Sequence, residues 1–325
     1  MTDLLVLVTR HPGVPEDQRR RLLDAHSRVR VELIDSPEAL AERLPEADGI
    51  VTAFALPSGA VARSVRLRWV HSMSAGVDTF LTPELRAAEH VVLTASKGPL
   101  GESMAEHALA LMLALARNLS GFLADQHARR WRRMMSEQAH VTELTGRTIA
   151  ILGVGAVGGH LARMCKLGLG MRVLGMARVR REHPHVDRYF EPPDLHAALV
   201  EADVVSLSLP ASAATKHIID AAALAAMKST AFLVNVARGR LVDEEALITA
   251  LRSGQIAGAG LDTLTVEPPP NQSPLWQLSN VLITPHTSAV TDRLATRLVD
   301  FWADNIARFA EERPLCGVVD RDAGY

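Results

Sequence analysis

The sequence predicts an α/β protein made of two doubly wound parallel sheets, each in its own Rossmann-like or flavodoxin-like domain, with a cleft between the domains. Three observations carry that prediction. Short β-type runs alternate with helical stretches along most of the chain, the pattern of βαβ units rather than of hairpins. The length of 325 residues is about twice that of a usual domain, so two separate cores are expected. A single GxGxxG, Gly153-Val154-Gly155-Ala156-Val157-Gly158, stands between an apolar run and a helical stretch near mid-chain.

In chain order, Leu4–Thr9, Val29–Ile34, Gly49–Ala53, Trp69–Met73 and Val91–Thr94 are the strands expected of the first domain. A helix follows from about Glu102 to Asn118, where Met104, His107, Ala108, Leu111, Met112 and Leu115 recur at three- and four-residue spacing. Six further runs, Thr148–Leu152, Met171–Met176, Asp203–Leu209, Ala231–Val236, Ala257–Leu261 and Val281–Thr284, are mostly continuous in apolar residues. Strands buried on both faces of a parallel sheet read that way. Glu244–Ser253 is a helix opened by Asp243 as N-cap and closed by Gly254. The helical stretch Asp292–Glu311 lies beyond the last strand and is expected to return to the first domain. The expected division is therefore 1–97 plus 290–325 as a substrate-binding domain, and 98–289 as a dinucleotide-binding domain.

Composition excludes several classes. With 48% hydrophobic residues, 22% charged and a formal net charge of -2, the chain has the balance of a globular protein and no field to hold a polyanion. No nucleic-acid partner is expected, and Arg129, Arg130, Arg132 and Arg133 around Trp131 read as a solvated helix face. The longest apolar run, Ala108 to Ala116, falls short of the roughly 20 residues that span a bilayer, so no membrane association is expected. Cys165 and Cys316 form neither CxxC nor Cys/His spacing, which argues against a disulfide framework or a metal site. Met1-Thr2-Asp3 carries an acid where an export signal would be basic, and a cytoplasmic, reducing compartment is expected.

In a strand-turn-helix setting each glycine of the motif has a task. Gly153 makes the tight turn, Gly155 admits the pyrophosphate to the backbone, and Gly158 lets helix and strand pack closely. Ala156 and Val157 open the helix, whose N-terminus presents unpaired N–H groups and a positive dipole end. At the end of the next strand an acid would hold an adenosine ribose, yet the chain reads Gly175-Met176-Ala177-Arg178-Val179-Arg180-Arg181. A carboxylate there would repel a 2′-phosphate, whereas Arg178 pairs with one. NADP(H) is favoured, with NAD(H) possible.

Three more segments follow successive strands, where ligands collect in open α/β sheets. They are Asn235-Val236-Ala237-Arg238-Gly239, Asp262-Thr263-Leu264-Thr265-Val266-Glu267-Pro268 and Thr284-Pro285-His286-Thr287-Ser288-Ala289. With the glycine motif, Ser74-Ala75-Gly76-Val77-Asp78, Met104-Ala105-Glu106-His107 and Ser273-Pro274-Leu275-Trp276, they resemble the D-isomer-specific 2-hydroxyacid dehydrogenase family over most of the chain. Within it, Ala177–Arg181 and the C-terminal Val319–Tyr325 look most similar to the NADPH-dependent glyoxylate/hydroxypyruvate reductase A type.

The resemblance implies an oxidoreductase that reduces a small 2-keto acid, from glyoxylate-like to bulkier, to the D-2-hydroxy acid. Arg238 would anchor the substrate, His286 would supply the proton, and Glu267 would orient the imidazole. Backbone N–H groups of Ala75 and Gly76 would bind the substrate carboxylate, so that cleft closure would complete the site. Asp262 would hold the nicotinamide carboxamide and Ser208-Leu209-Pro210 would line the adenine side, with Val236 and Ala237 as further cofactor contacts. Lys97-Gly98-Pro99 departs from the small polar residues common before the interdomain helix. A homodimer is expected on the same ground. The rival reading is an NAD(P)H-sensing, corepressor-like binding protein on the same fold.

Overall fold

The structure, a computed structural model, describes residues 4–77, 80–131, 141–178 and 182–324. The chain folds as two compact units, Met1–Leu100 with Val290–Tyr325, and Gly101–Ala289.

The first unit holds a five-stranded parallel sheet of β1 (Leu4–Thr9), β2 (Val29–Ile34), β3 (Gly49–Thr52), β4 (Trp69–Ser72) and β5 (Val92–Ala95), in the order β2-β1-β3-β4-β5. Residues of β1, β3 and β4 are buried almost without exception, which is why these runs are apolar rather than alternating. The Leu294–Ala310 helix belongs to this unit. Its buried side chains, Leu298, Val299, Trp302, Ile306 and Ala310, recur at helical spacing, so one face is sealed. The segment after it returns to the sheet edge, where Val319 N–H donates to Leu93 O (2.9 Å) and the Lys97 ammonium reaches Val318 O (3.3 Å). Lys97 thus fastens the C-terminal segment.

The second unit holds seven parallel strands: β6 (Thr148–Leu152), β7 (Arg172–Met176), β8 (Arg188–Phe190), β9 (Val204–Leu207), β10 (Phe232–Asn235), β11 (Gly258–Leu261) and β12 (Val281–Ile283). Their order is β12-β11-β10-β9-β6-β7-β8, so the chain departs in opposite directions from β6, and the crevice at that reversal is where open α/β sheets bind ligands. The Gly101–Ala116 helix lies in this unit, packed on β10, β11, β12 and on the Ala156–Leu169 helix. Among the described residues no single helix is long and apolar enough to cross a membrane. The expected Asp243 cap is present, with Oδ1 accepting from Ala246 N (3.1 Å), and Gln255 N–H closes the helix end on Ala250 O (2.8 Å).

Two differences from the sequence reading are small. Most expected strands are trimmed by one to three residues at one or both ends, and β5 shifts by one residue to Val92–Ala95, because the terminal residues leave the ladder. The short edge strand β8 goes unforeseen: Arg-Tyr-Phe pairs with β7 over three residues and carries no apolar run to announce it.

Beneath the Leu294–Ala310 helix lies a buried polar chain. Trp69 Nε1–H donates to Thr94 Oγ1 (2.8 Å) and Trp302 Nε1–H to Ser96 Oγ (3.0 Å). His71 bridges the two hydroxyls, with Nδ1 2.7 Å from Thr94 Oγ1 and Nε2 3.1 Å from Ser96 Oγ. The hydroxyls have further acceptors, Val70 O for Thr94 (3.5 Å) and Ser72 O for Ser96 (3.3 Å), so a ring that donates at one nitrogen and accepts at the other satisfies the chain in either tautomer. The ring is therefore neutral, and burial pushes its pKa down to about 3 from an ordinary 6.5.

The unfolded chain takes up this proton near pH 6.5, while the folded chain resists it down to about pH 3. The His71 contribution to stability is therefore complete above pH 6.5 and declines as pH falls toward 3. Denaturant titrations between about pH 7.5 and about pH 4.5 should show that decline, and His71→Gln should flatten it while lowering stability at neutral pH. An identical slope in the variant would mean that other groups set the acid limit.

Candidate active site

The Gly153–Gly158 loop leaves β6 and enters the Ala156–Leu169 helix. Gly153 has φ +100°, and a Cβ there would lie 2.7 Å from the Ser208 carbonyl carbon. At Gly158 a Cβ would lie 2.0 Å from Gly153 O, so any larger residue forces helix from strand. Gly155, between them, is the helix N-cap, and a Cβ there would meet no described atom within 4 Å. This leaves an open cradle above the first turn, which carries no acidic side chain. The residues fit a dinucleotide pyrophosphate. Ser208 stitches the cradle from β9, its Oγ donating to Gly153 O (2.7 Å).

Three strand-end loops build the second half of the site. After β10, Asn235 clasps its own loop: Oδ1 accepts from Ala237 N (3.0 Å) and Nδ2 donates to Arg238 O (2.9 Å). Arg238 is half-buried and donates to Ala237 O (2.7 Å). The neighbouring carboxylates have other tasks, Asp243 as helix cap and Glu244 accepting from Thr265 N (3.1 Å). Gly239 lies flat against the next loop, where a Cβ would come within 1.9 Å of the Leu264 carbonyl carbon. The Arg238 loop and the Glu267 loop are thereby in backbone contact.

Glu267 is held at one oxygen and presents the other. Leu264 N donates to Oε1 (2.9 Å), and Oε2 lies 2.6 Å from His286 Nδ1. Both side chains are partly exposed, 49% for His286 and 36% for Glu267, so this pair does little for stability and much for orientation. His286 sits at φ +50°, an uncommon region for a residue with a Cβ, and its N–H donates to Asp262 O (2.9 Å).

Asp262 holds that geometry. Its side chain is 0% exposed and accepts from Thr284 Oγ1 (2.6 Å), Thr287 N (2.9 Å) and Ser288 N (3.0 Å). Burial alone would push the carboxyl up, but these hydrogen bonds hold it below the usual carboxylate range. The structure gives Asp262 the part of loop anchor.

The remaining expected residues fall as follows. Leu209 and Pro210 are half-buried beside Ser208 at the end of β9. Val236 and Ala237 are buried at the end of β10, and both polar backbone groups of Ala237 are engaged within the loop. Ala177 and exposed Arg178 follow β7, while Val179, Arg180 and Arg181 lie outside the described residues. In the first unit, Ala75 and Gly76 follow β4, and no described group accepts from their N–H groups. Asp78 of that loop, Tyr325 of the tail, and Arg132 and Arg133 of the basic cluster also lie outside the described residues.

Sequence reasoning missed Gly239 and Thr284 as site builders, and took His107 only as part of a helix. Gly239 was marked only by its place after Arg238. Thr284 and His107 became neighbours through tertiary folding, with His107 Nε2 2.9 Å from Thr284 Oγ1.

A glycine cradle at the switch point of a parallel sheet, with an arginine and a carboxylate-bound histidine at successive strand ends, defines an NAD(P)-dependent oxidoreductase. Residues 109–288 match the family model described as D-isomer specific 2-hydroxyacid dehydrogenase, NAD binding domain. A glyoxylate reductase of Korarchaeum cryptofilum is 35% identical over 282 residues, covering 84% of this chain and 83% of that protein. A glyoxylate/hydroxypyruvate reductase B of Klebsiella pneumoniae is 33% identical over 299 residues, covering 90% and 91%. The crystal structure of a D-isomer specific 2-hydroxyacid dehydrogenase from Xanthobacter autotrophicus Py2, in complex with NADPH and MES, superposes with a TM-score of 0.81 at 30% identity over 100% of both chains. The chain belongs to the D-isomer-specific 2-hydroxyacid dehydrogenase family. The reductase A resemblance is corrected, since these relatives carry the names glyoxylate reductase and reductase B. A short basic stretch after β7 is too little of the chain to distinguish one subtype from another.

Gly239→Ala should leave the protein folded but displace the Leu264–Glu267 loop. A misplacement of about 1 Å costs on the order of 10²-fold in rate. We expect turnover of a 2-keto acid to fall by about that factor, with NADPH binding by fluorescence nearly unchanged. Wild-type turnover in this variant would show that the loop contact does not set the catalytic geometry.

Proposed function

We propose that the chain reduces a small 2-keto acid of the glyoxylate/hydroxypyruvate kind to the D-2-hydroxy acid, using NADP(H) in preference to NAD(H). The observation that carries this reading is the 2.6 Å contact between His286 Nδ1 and Glu267 Oε2, in a loop anchored by a buried carboxylate. Reduction places negative charge on the carbonyl oxygen, so the site needs a fixed cation and a proton donor. Arg238 supplies the cation for the carboxylate and the developing oxyanion. With Nδ1 engaged by Glu267, Nε2 is the ring nitrogen left to face a substrate, and it gives the proton to the carbonyl oxygen. When bound, the reduced nicotinamide supplies the hydride that goes to C2. In the oxidative direction His286 takes the proton back.

Gly153, Gly155, Ala156, Val157 and Gly158 hold the pyrophosphate, with Ser208, Leu209 and Pro210 on the adenine side. The amides of Ala75 and Gly76 are assigned to the substrate carboxylate, and the Met1–Leu100 plus Val290–Tyr325 unit to substrate binding. Arg178, at a position with no acid, supports the 2′-phosphate. Two free cysteines support a reducing, cytoplasmic setting. We also assign a homodimer, for which exposed Leu119, Phe122 and Leu123 on the Leu119–His127 helix are candidate covered residues, and the mass in solution at micromolar concentration tests it.

The deciding assay follows NADPH absorbance as glyoxylate, hydroxypyruvate or phenylpyruvate is added. Nucleotide binding without oxidation by any 2-keto acid would transfer the assignment to a nucleotide-sensing protein.

Arg178→Ala should raise the KM for NADPH by about ten- to hundredfold and leave that for NADH nearly unchanged, because a charge-assisted contact is worth about 1.5–3 kcal/mol and only NADPH carries the 2′-phosphate. A wild-type preference for NADH would overturn the cofactor reading. His286→Ala should lower turnover by about 10²–10⁴-fold with NADPH affinity retained. Glu267→Gln should lose less, and the double variant should be little worse than His286→Ala alone, because the carboxylate acts through the ring. Near wild-type turnover in His286→Ala would remove the histidine from the mechanism.

A further inference from the structure

The loop that carries His286 has a second tether, from a helix that touches none of the reacting groups. His107 lies on the Gly101–Ala116 helix with its side chain 22% exposed, and its Nε2 is 2.9 Å from Thr284 Oγ1. The same hydroxyl is 2.6 Å from Asp262 Oδ1. Direction along this chain is fixed by counting protons. Asp262, held below the usual carboxylate range, is an acceptor only, so the single Thr284 hydroxyl proton goes to it. Thr284 Oγ1 must then accept from the imidazole, which makes Nε2 the protonated nitrogen of His107. The His107 N–H also lies 3.6 Å from Asp262 Oδ1, so its dipole favours the carboxylate directly.

We propose that His107 is a positioning residue for the catalytic loop: its Nε2–H commits the Thr284 proton to Asp262, which in turn fixes the Thr287 and Ser288 amides that directly follow His286. The proposal rests on the proposed role of His286 for its effect on turnover, but not for its effect on the loop. The helix suits the task because Ala105, Ala108, Leu111 and Met112 bury it against the sheet, giving the loop a rigid reference. The left-handed histidine is followed at once by two backbone N–H groups and preceded by one hydroxyl, all three bound to the same carboxylate.

The test pairs His107→Leu with His107→Gln, whose amide N–H can replace the imidazole donor. In His107→Leu, kcat should fall about three- to tenfold, the worth of one neutral hydrogen bond, with the KM for NADPH changed by less than about twofold. Amide hydrogen exchange at Thr287 and Ser288, read by NMR, should accelerate in His107→Leu and return toward wild type in His107→Gln, as should kcat. Unchanged exchange at those two amides in His107→Leu overturns the proposal, as does a His107→Gln that behaves like His107→Leu. If His107→Leu fails to fold, Thr284→Val breaks the same chain and carries the same expectation, and unaltered exchange there overturns it equally. A wild type inert toward every 2-keto acid would sink the functional reading, while the exchange comparison, which needs no substrate, still decides the role of His107.

Discussion

The site depends on one buried carboxylate. Removing Asp262 from water is costly unless every lone pair finds a donor, and the donors at hand are a hydroxyl and two amides of the following strand-end loop. Satisfying the charge therefore dictates the path of Thr284–Ser288, and that path puts His286 at positive φ. The strain of a left-handed histidine is offset by the hydrogen bonds that surround it. A folding constraint shapes the site here, since the group that must be satisfied also sets the backbone path at His286.

Glycine provides the complementary constraint, where backbone must approach backbone. Gly158 against Gly153 O makes the nucleotide cradle, and Gly239 against Leu264 brings the arginine loop onto the carboxylate loop. Both contacts are shorter than any Cβ would allow. The first contact leaves a cradle at a helix N-terminus, while the second sets the spacing of the Arg238 loop from the loop whose Glu267 meets His286. The same device serves both loops, after β6 and after β10.

The first unit solves a different problem. The Leu294–Ala310 helix comes from the far end of the chain and must find one register on a sheet made from the beginning of it. Apolar contact sets the face but tolerates sliding; the Trp302 to Ser96 bond, joined through His71 to Thr94 and Trp69, does not. A neutral histidine is suited to the middle of that chain because it donates at one nitrogen and accepts at the other.

The fold was largely legible in the sequence. Eleven of the twelve described strands coincide with runs read from it, because strands buried on both faces leave unbroken apolar stretches that hairpins and exposed strands do not. Gly153, Gly155, Gly158, Arg238, Glu267 and His286 were also legible, since each follows a strand that can be found without coordinates. The exception, β8, is an edge strand too short to leave a pattern. What only the tertiary structure decided are the relations among residues distant in sequence: that Asp262 anchors the histidine loop, that Gly239 touches Leu264, and that His107 reaches Thr284 across 177 positions. Periodicity and local motifs report which face of an element is buried and where backbone must turn. Hydrogen bonds between strand ends report distances in space, and those exist only after the sheet has brought the ends together.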